Sequence, residues 1–90
     1  MALGIYFAPE SMSSAQYDDV TSRLEAAGQG APAGRLYHVA FSGRGGLEVF
    51  DVWDSQESFD AFGAILMPIL AEVGVDPGQP DVMPVHNIVQ

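Results

Sequence analysis

The chain has 90 residues, 48% of them hydrophobic, and its twelve acidic and three basic residues give a formal net charge of -9. A chain this short and this apolar is typical of one small folded domain, which we expect to span residues 1–90, and not of a disordered segment. The acidic balance disfavours nucleic acid and anionic membranes as partners, and the absence of cysteine excludes disulfides and thiolate metal sites.

The N-terminal segment predicts a strand and not a targeting signal. Residues Ala2 to Ala8 are largely apolar, and Pro9 closes the run. The segment lacks the basic start and long apolar centre of a signal peptide, and no run in the chain approaches the roughly 18 apolar residues of a membrane span. We therefore expect a cytoplasmic protein.

A first helix is predicted after this strand. Ser13 fits the N-cap position, and Gln16, three residues later, completes a capping box. Gly28 is placed to end the helix. The apolar residues that recur at helical spacing on one face are Tyr17, Val20, Leu24 and Ala27.

The segment from Leu36 to Asp54 predicts a β-hairpin of two apolar strands. It reads LYHVAFS, GRGG and LEVFDVWD, and the glycines permit the positive φ angles of a tight turn. If Arg44 and Gly45 are the two central turn residues, His38 lies directly across from Asp51. A bulge in the turn would instead shift the register by one residue and separate the two side chains onto opposite faces.

Both faces of this hairpin are mostly apolar. Half-exposed strands alternate apolar with polar residues, so we expect a second copy of the chain to cover the face that the helices leave bare. Alternation alone does not decide which face meets the helices. One face carries Tyr37, Val39, Phe41, Phe50 and Val52, and the other carries Leu36, His38, Ala40, Val49, Asp51 and Trp53.

A second helix is predicted to follow the hairpin, with Asp54 as its N-cap and Glu57 three residues later. Pro68 removes one backbone donor inside this helix, so we expect a kink or a break near Met67. Its apolar stripe consists of Phe59, Phe62, Leu66, Ile69, Leu70 and Val73.

A loop from Asp76 to Pro80 then leads to a last predicted strand, Val82 to Val89. The order is strand, helix, strand, strand, helix, strand. It predicts an α+β, ferredoxin-like fold, in which a four-stranded antiparallel sheet carries both helices on one face.

The βαββαβ order, the segment VFDVWDSQESFDAF (residues 49–62) and the closing PVHNIV (residues 84–89) resemble the dimeric α/β-barrel superfamily. Within it, the chain is most similar to small proteins related to antibiotic-biosynthesis monooxygenases. The resemblance implies a homodimer whose two sheets form a closed barrel, with a ligand pocket in each subunit between its sheet and its helices. It assigns the face with Tyr37 to the dimer core and the face with His38, Asp51 and Trp53 to the pocket.

His38 and Asp51 are the candidate catalytic residues, on condition that they are in register. Asp51 would fix the tautomer of His38, His38 would act as a general base, and Trp53 would offer an aromatic wall to a flat substrate. Tyr6 and His86 are further candidate substrate-binding residues of the same cavity. The alternative is that His38 and Asp51 only satisfy each other as a buried polar pair, and that Trp53 and His86 are structural.

We expect no metal and no other cofactor. His38, His86 and Asp51 do not share the local spacing of a metal site. The resemblance also implies that haem-degrading relatives carry an axial histidine on the second helix. This chain has Phe62 and Gly63 there, so we do not expect it to bind haem. Two functions stay open: a cofactor-independent, monooxygenase-like or cyclase/isomerase-like enzyme acting on a small aromatic or polyketide-like molecule, and a non-catalytic binding or assembly module.

Overall fold

A computed structural model describes residues 2–89 of the chain, and its elements follow the predicted order. The helices are α1 (Ser14–Ala26) and α2 (Gln56–Val73), and the strands are β1 (Leu3–Phe7), β2 (Arg35–Ser42), β3 (Leu47–Trp53) and β4 (Asp81–Pro84). The four strands form one antiparallel sheet in the spatial order β2-β3-β1-β4. The predicted ferredoxin-like α+β fold is confirmed.

Helix α1 begins at the predicted capping box. The Ser13 hydroxyl accepts from the backbone N–H of Gln16, and the Gln16 side chain accepts from the backbone N–H of Ser13. Val20 and Leu24 are buried on the inner side of the helix. The helix ends before Gly28, whose φ of +78° suits glycine, as predicted.

Helix α2 differs from the prediction in two details. Its N-cap is Ser55 and not Asp54, because the Ser55 hydroxyl is the group that accepts from the backbone N–H of Ser58. The helix also continues through Pro68, so of the two predicted alternatives near Met67 the break is wrong and the kink stays a prediction. Pro68 and Ala64 both lie on the exposed side of the helix, so the Ala64 carbonyl, which has lost its helical donor, belongs to a residue that faces solvent.

Strand β4 is shorter than the predicted Val82 to Val89. It pairs only with β1, and the last pair joins Pro84 to Leu3, the first residue of β1. Because β1 begins at Leu3, no further residue of β1 is available for pairing. The chain leaves the sheet after one more backbone hydrogen bond, from the N–H of Val85 to the carbonyl of Ala2. His86 consequently lies outside the sheet.

The core fills the space between the sheet and the two helices. Ile5 and Trp53 are fully buried there, and the Trp53 ring packs against Phe59 and Phe62 with centroid separations of 5.9 and 5.2 Å. The face of the hairpin that carries His38, Asp51 and Trp53 therefore meets the helices. Within residues 2–89, neither helix has the combination of length and apolar character that crossing a bilayer requires.

The other side of the sheet, here called the outer sheet face, is not covered by the helices. Tyr37 is 54% and Phe41 41% exposed on it. At its centre the Phe50 ring lies so close to Gly4 that a Cβ there would approach it to 3.1 Å. The face consists of Gly4, Tyr6, Tyr37, Val39, Phe41, Phe50, Val52 and Met83, with Glu48 and Asp81 at its rim.

Candidate functional site

His38 on β2 lies directly across from Asp51 on β3, as the two-residue turn predicts. Every pair from Tyr37 and Val52 to Ser42 and Leu47 keeps this register, so the glycine-rich turn contains no bulge. The Nδ1 atom of His38 lies 2.5 Å from Oδ1 of Asp51. The Asp51 side chain is only 6% exposed, whereas that of His38 is 27% exposed and reaches the space beneath the helices.

Tyr17 of α1 completes the arrangement. Its hydroxyl lies 2.7 Å from Nε2 of His38, and the two rings stack with an interplanar angle of 7°. An ionised carboxylate only accepts hydrogen bonds, so Nδ1 of His38 donates to Asp51. In the neutral imidazole, the Tyr17 hydroxyl then donates to the lone pair of Nε2, which is the atom that would accept a proton from a substrate.

A cavity opens between the sheet and the helices at this point. Its volume is about 120 Å³, several times the roughly 10–15 Å³ that one water needs. Tyr17, His38 and Asp51 contribute polar atoms to a wall that is otherwise largely apolar. The apolar part of the wall includes Phe7, Val20, Leu24, Val49, Phe62 and Leu70.

Trp53 is not a wall of this cavity, which corrects the expectation that it forms a substrate platform. The side chain is completely buried in the core, and its indole N–H points to Oδ2 of Asp51 at 3.4 Å. Trp53 therefore supports the site from behind, because it supplies the second donor to the buried carboxylate. The structural interpretation of this residue is the one that the packing favours.

Tyr6 and His86 also lie away from the cavity. Tyr6 alternates with the buried Ile5, so its side chain is on the outer sheet face, where its hydroxyl donates to Glu48; this hydrogen bond raises the pKa of Tyr6. His86 is exposed beyond the end of β4. Neither residue is placed to bind a substrate beside His38.

Arg35 is a cavity residue that the sequence analysis missed. Regular alternation predicts Leu36 opposite Trp53, but the structure pairs Arg35 with Trp53 and Tyr37 with Val52. Leu36 is thus the extra residue of a β-bulge and is 57% exposed, while Arg35 lines the cavity in its place.

Tyr17 was also missed, since it was assigned only to the apolar stripe of α1. The signal was present in the sequence, because a tyrosine on the inner face of a helix needs a partner for its hydroxyl. For a metal, the structure offers little: in the part of the chain from residue 2 to residue 89, no group of three or more His, Asp or Glu side chains is arranged to bind an ion.

No protein-family model matches the chain, and no curated protein is significantly similar to it in sequence. Among solved structures, the chain is similar to SnoaB, a cofactor-independent oxygenase from Streptomyces nogalater, with a TM-score of 0.63 and 15% sequence identity. The similarity covers 98% of this chain and 94% of that chain. At this identity the similarity shows the fold alone, and it agrees with the ferredoxin-like α+β fold described above.

Proposed function

We propose that this protein is a cofactor-independent, monooxygenase-like enzyme that acts on a small phenolic or polyketide-like aromatic molecule. The observation that carries the proposal is the pair of His38 and Asp51 at the wall of an apolar cavity. Ligand sites commonly combine such a cavity with a few convergent polar groups. The fold shared with a cofactor-independent oxygenase supports the same reaction class.

In this mechanism, Nε2 of His38 exchanges its hydrogen bond with Tyr17 for one with the substrate hydroxyl and removes the phenolic proton. Asp51 holds the ring through Nδ1 and stabilises the imidazolium that forms. The phenolate directs electron density to a ring carbon, which reacts with molecular oxygen. One oxygen atom stays in the product as a carbonyl and the other leaves as water, so that 1-naphthol and O₂ give 1,4-naphthoquinone and water.

The proposal includes a homodimer and a cytoplasmic location. The homodimer would form through the outer sheet face, whose exposed aromatic residues Tyr37 and Phe41 are the kind of surface that a second copy buries. A fluorescent fusion of the whole chain would report the location.

We expect the substitution His38→Asn to lower the rate of oxygen consumption strongly while the protein stays folded. The asparagine amide can still donate to Asp51, so the buried carboxylate keeps a partner, but the proton acceptor is lost. The initial rate with 1-naphthol, followed with an oxygen electrode, should fall by about 10²- to 10⁴-fold. His86→Asn is the matched control, because His86 is exposed and away from the cavity, and it should leave the rate unchanged.

Equal rates for wild type and His38→Asn would contradict the proposal, provided that both proteins have the same circular dichroism spectrum. The alternative, a binding module without catalysis, is favoured by one observation: Tyr17 already occupies Nε2 of His38. That alternative predicts that wild-type protein binds 1-naphthol but consumes no oxygen.

A further inference from the structure

We propose that Arg35 is the anion-binding group of the cavity and that the natural ligand is an aromatic carboxylate. The inference rests on the proposed function in one respect: it assigns a substrate class to the same cavity. It depends on the placement and charge of Arg35, and not on the reaction that follows binding.

Arg35 is exceptional in this chain because positive charge is scarce. The sequence contains three arginines and no lysine against twelve acidic residues. Arg23 is bound by Asp19 and Glu72 at 2.9 and 2.8 Å, and Arg44 is exposed in the hairpin turn. Among residues 2–89, Arg35 is therefore the only Arg or Lys side chain on the cavity wall.

The β-bulge in β2 is what places Arg35 there. Without the bulge, Leu36 would face the cavity opposite Trp53 and Arg35 would point to the outer sheet face. The structure has the reverse arrangement, in which a leucine is 57% exposed and an arginine lines an apolar cavity. Bulges occur next to binding sites where they redirect a side chain, and here the redirected group is a cation.

The guanidinium has donors left for a ligand. The Nη2 atom of Arg35 donates to the Gly30 carbonyl at 3.2 Å, and this hydrogen bond anchors the side chain at the rim of the cavity. Within the described part of the chain, residues 2–89, no carboxylate forms an ion pair with it. A planar guanidinium binds a carboxylate through two parallel hydrogen bonds, so this group is the form of anion that it fits best.

The positions of Arg35 and His38 also restrict the shape of the ligand. The two residues are three positions apart on one strand, roughly 10 Å or less at about 3.3 Å per residue. A flat molecule gripped at both ends would present a hydroxyl to His38 and a carboxylate to Arg35. A naphthalene with these groups at opposite ends, 6-hydroxy-2-naphthoate, meets the requirement, and 6-hydroxy-2-naphthamide is its neutral counterpart.

The test compares the affinities of these two probes by calorimetry under nitrogen, so that binding is measured without turnover. We expect wild-type protein to bind the carboxylate at least tenfold more tightly than the amide. Arg35→Gln should weaken carboxylate binding by about 10- to 100-fold and change amide binding by less than twofold. Arg44→Gln makes the same change in net charge outside the cavity and should leave both affinities unchanged.

Three results would overturn the inference: no carboxylate binding to wild type at millimolar concentration, equal affinity for the two probes, or equal effects of Arg35→Gln and Arg44→Gln. The His38→Asn variant separates this inference from the proposed function. It should keep the at least tenfold preference for the carboxylate over the amide, because Arg35 is unchanged, even though its oxygen consumption is strongly reduced. If wild type binds the carboxylate through Arg35 but never consumes oxygen, the proposed function fails and the ligand class stands.

Discussion

At the level of single residues, the site is organised around the buried carboxylate of Asp51. Two donors point at it, Nδ1 of His38 at 2.5 Å and the indole N–H of Trp53 at 3.4 Å. A buried carboxylate without such partners would be strongly destabilising, so the three side chains form one unit. Any variant at His38 must therefore keep a donor for Asp51 if its effect on chemistry is to be distinguished from an effect on folding.

Tyr17 lies at the other end of this unit, and its removal should affect stability modestly. In Tyr17→Phe the ring still stacks on His38, but the hydrogen bond of 2.7 Å to Nε2 is lost. We expect the free energy of unfolding, measured with urea, to fall by about 0.5–1.5 kcal/mol. The control is Ser22→Ala, which removes an exposed hydroxyl from the same helix and should change the value by less than about 0.5 kcal/mol. Equal effects of the two substitutions would show that the Tyr17 hydroxyl contributes nothing specific.

At the level of secondary-structure elements, the hairpin shows what could be predicted. The pairing of His38 with Asp51 followed from the turn, because a two-residue turn fixes the register of the strands on either side of it. The bulge at Leu36 lies at the opposite end of β2, beyond the reach of that rule. There the Asp54 N–H donates to the Gly34 carbonyl, and Gly34 has a φ of +89°. Such a contact depends on how the strand joins its preceding loop, which no periodicity in the sequence reveals.

Two single-residue deletions should distinguish the effect of the bulge on ligand binding from the effect of the Arg35 side chain. Deleting Leu36 removes the extra residue and leaves Arg35 opposite Trp53 by ordinary alternation. Deleting Arg35 shortens the strand equally but brings Leu36 to that position. We expect the first variant to bind 6-hydroxy-2-naphthoate within about threefold of wild type and the second to lose about tenfold or more, both measured by calorimetry.

Similar losses in the two deletion variants would mean that the bulge itself, and not the guanidinium, shapes the cavity. The thermal unfolding midpoints of the two variants provide the control. They should be close to each other, because both strands have the same length and the same regular pairing.

At the level of the whole molecule, the outer sheet face is an apolar surface that no helix of the same chain covers. A domain of this size buries only about 60–65% of the surface that its unfolded chain exposes, so apolar residues left outside are costly. The alternation of the strands predicted this surplus, and the structure places it on the side away from the helices. The polar pair of Tyr6 and Glu48 belongs to the same face and is already hydrogen-bonded, so a second copy could cover it without leaving the Tyr6 hydroxyl unpaired.

A charge at the centre of this face should prevent the proposed dimer. Phe50 lies on β3, between β2 and β1, and Phe50→Arg would place an unpaired guanidinium inside the interface. Light scattering at micromolar concentration should give twice the chain mass of 9.6 kDa for wild type and the monomer mass for this variant. Met67→Arg is the matched control, since Met67 is 49% exposed on α2, outside the sheet. The Met67→Arg protein should remain dimeric. A wild-type protein of monomer mass would contradict the dimer, and dissociation of both variants would show that added charge, and not its position on the outer sheet face, is responsible.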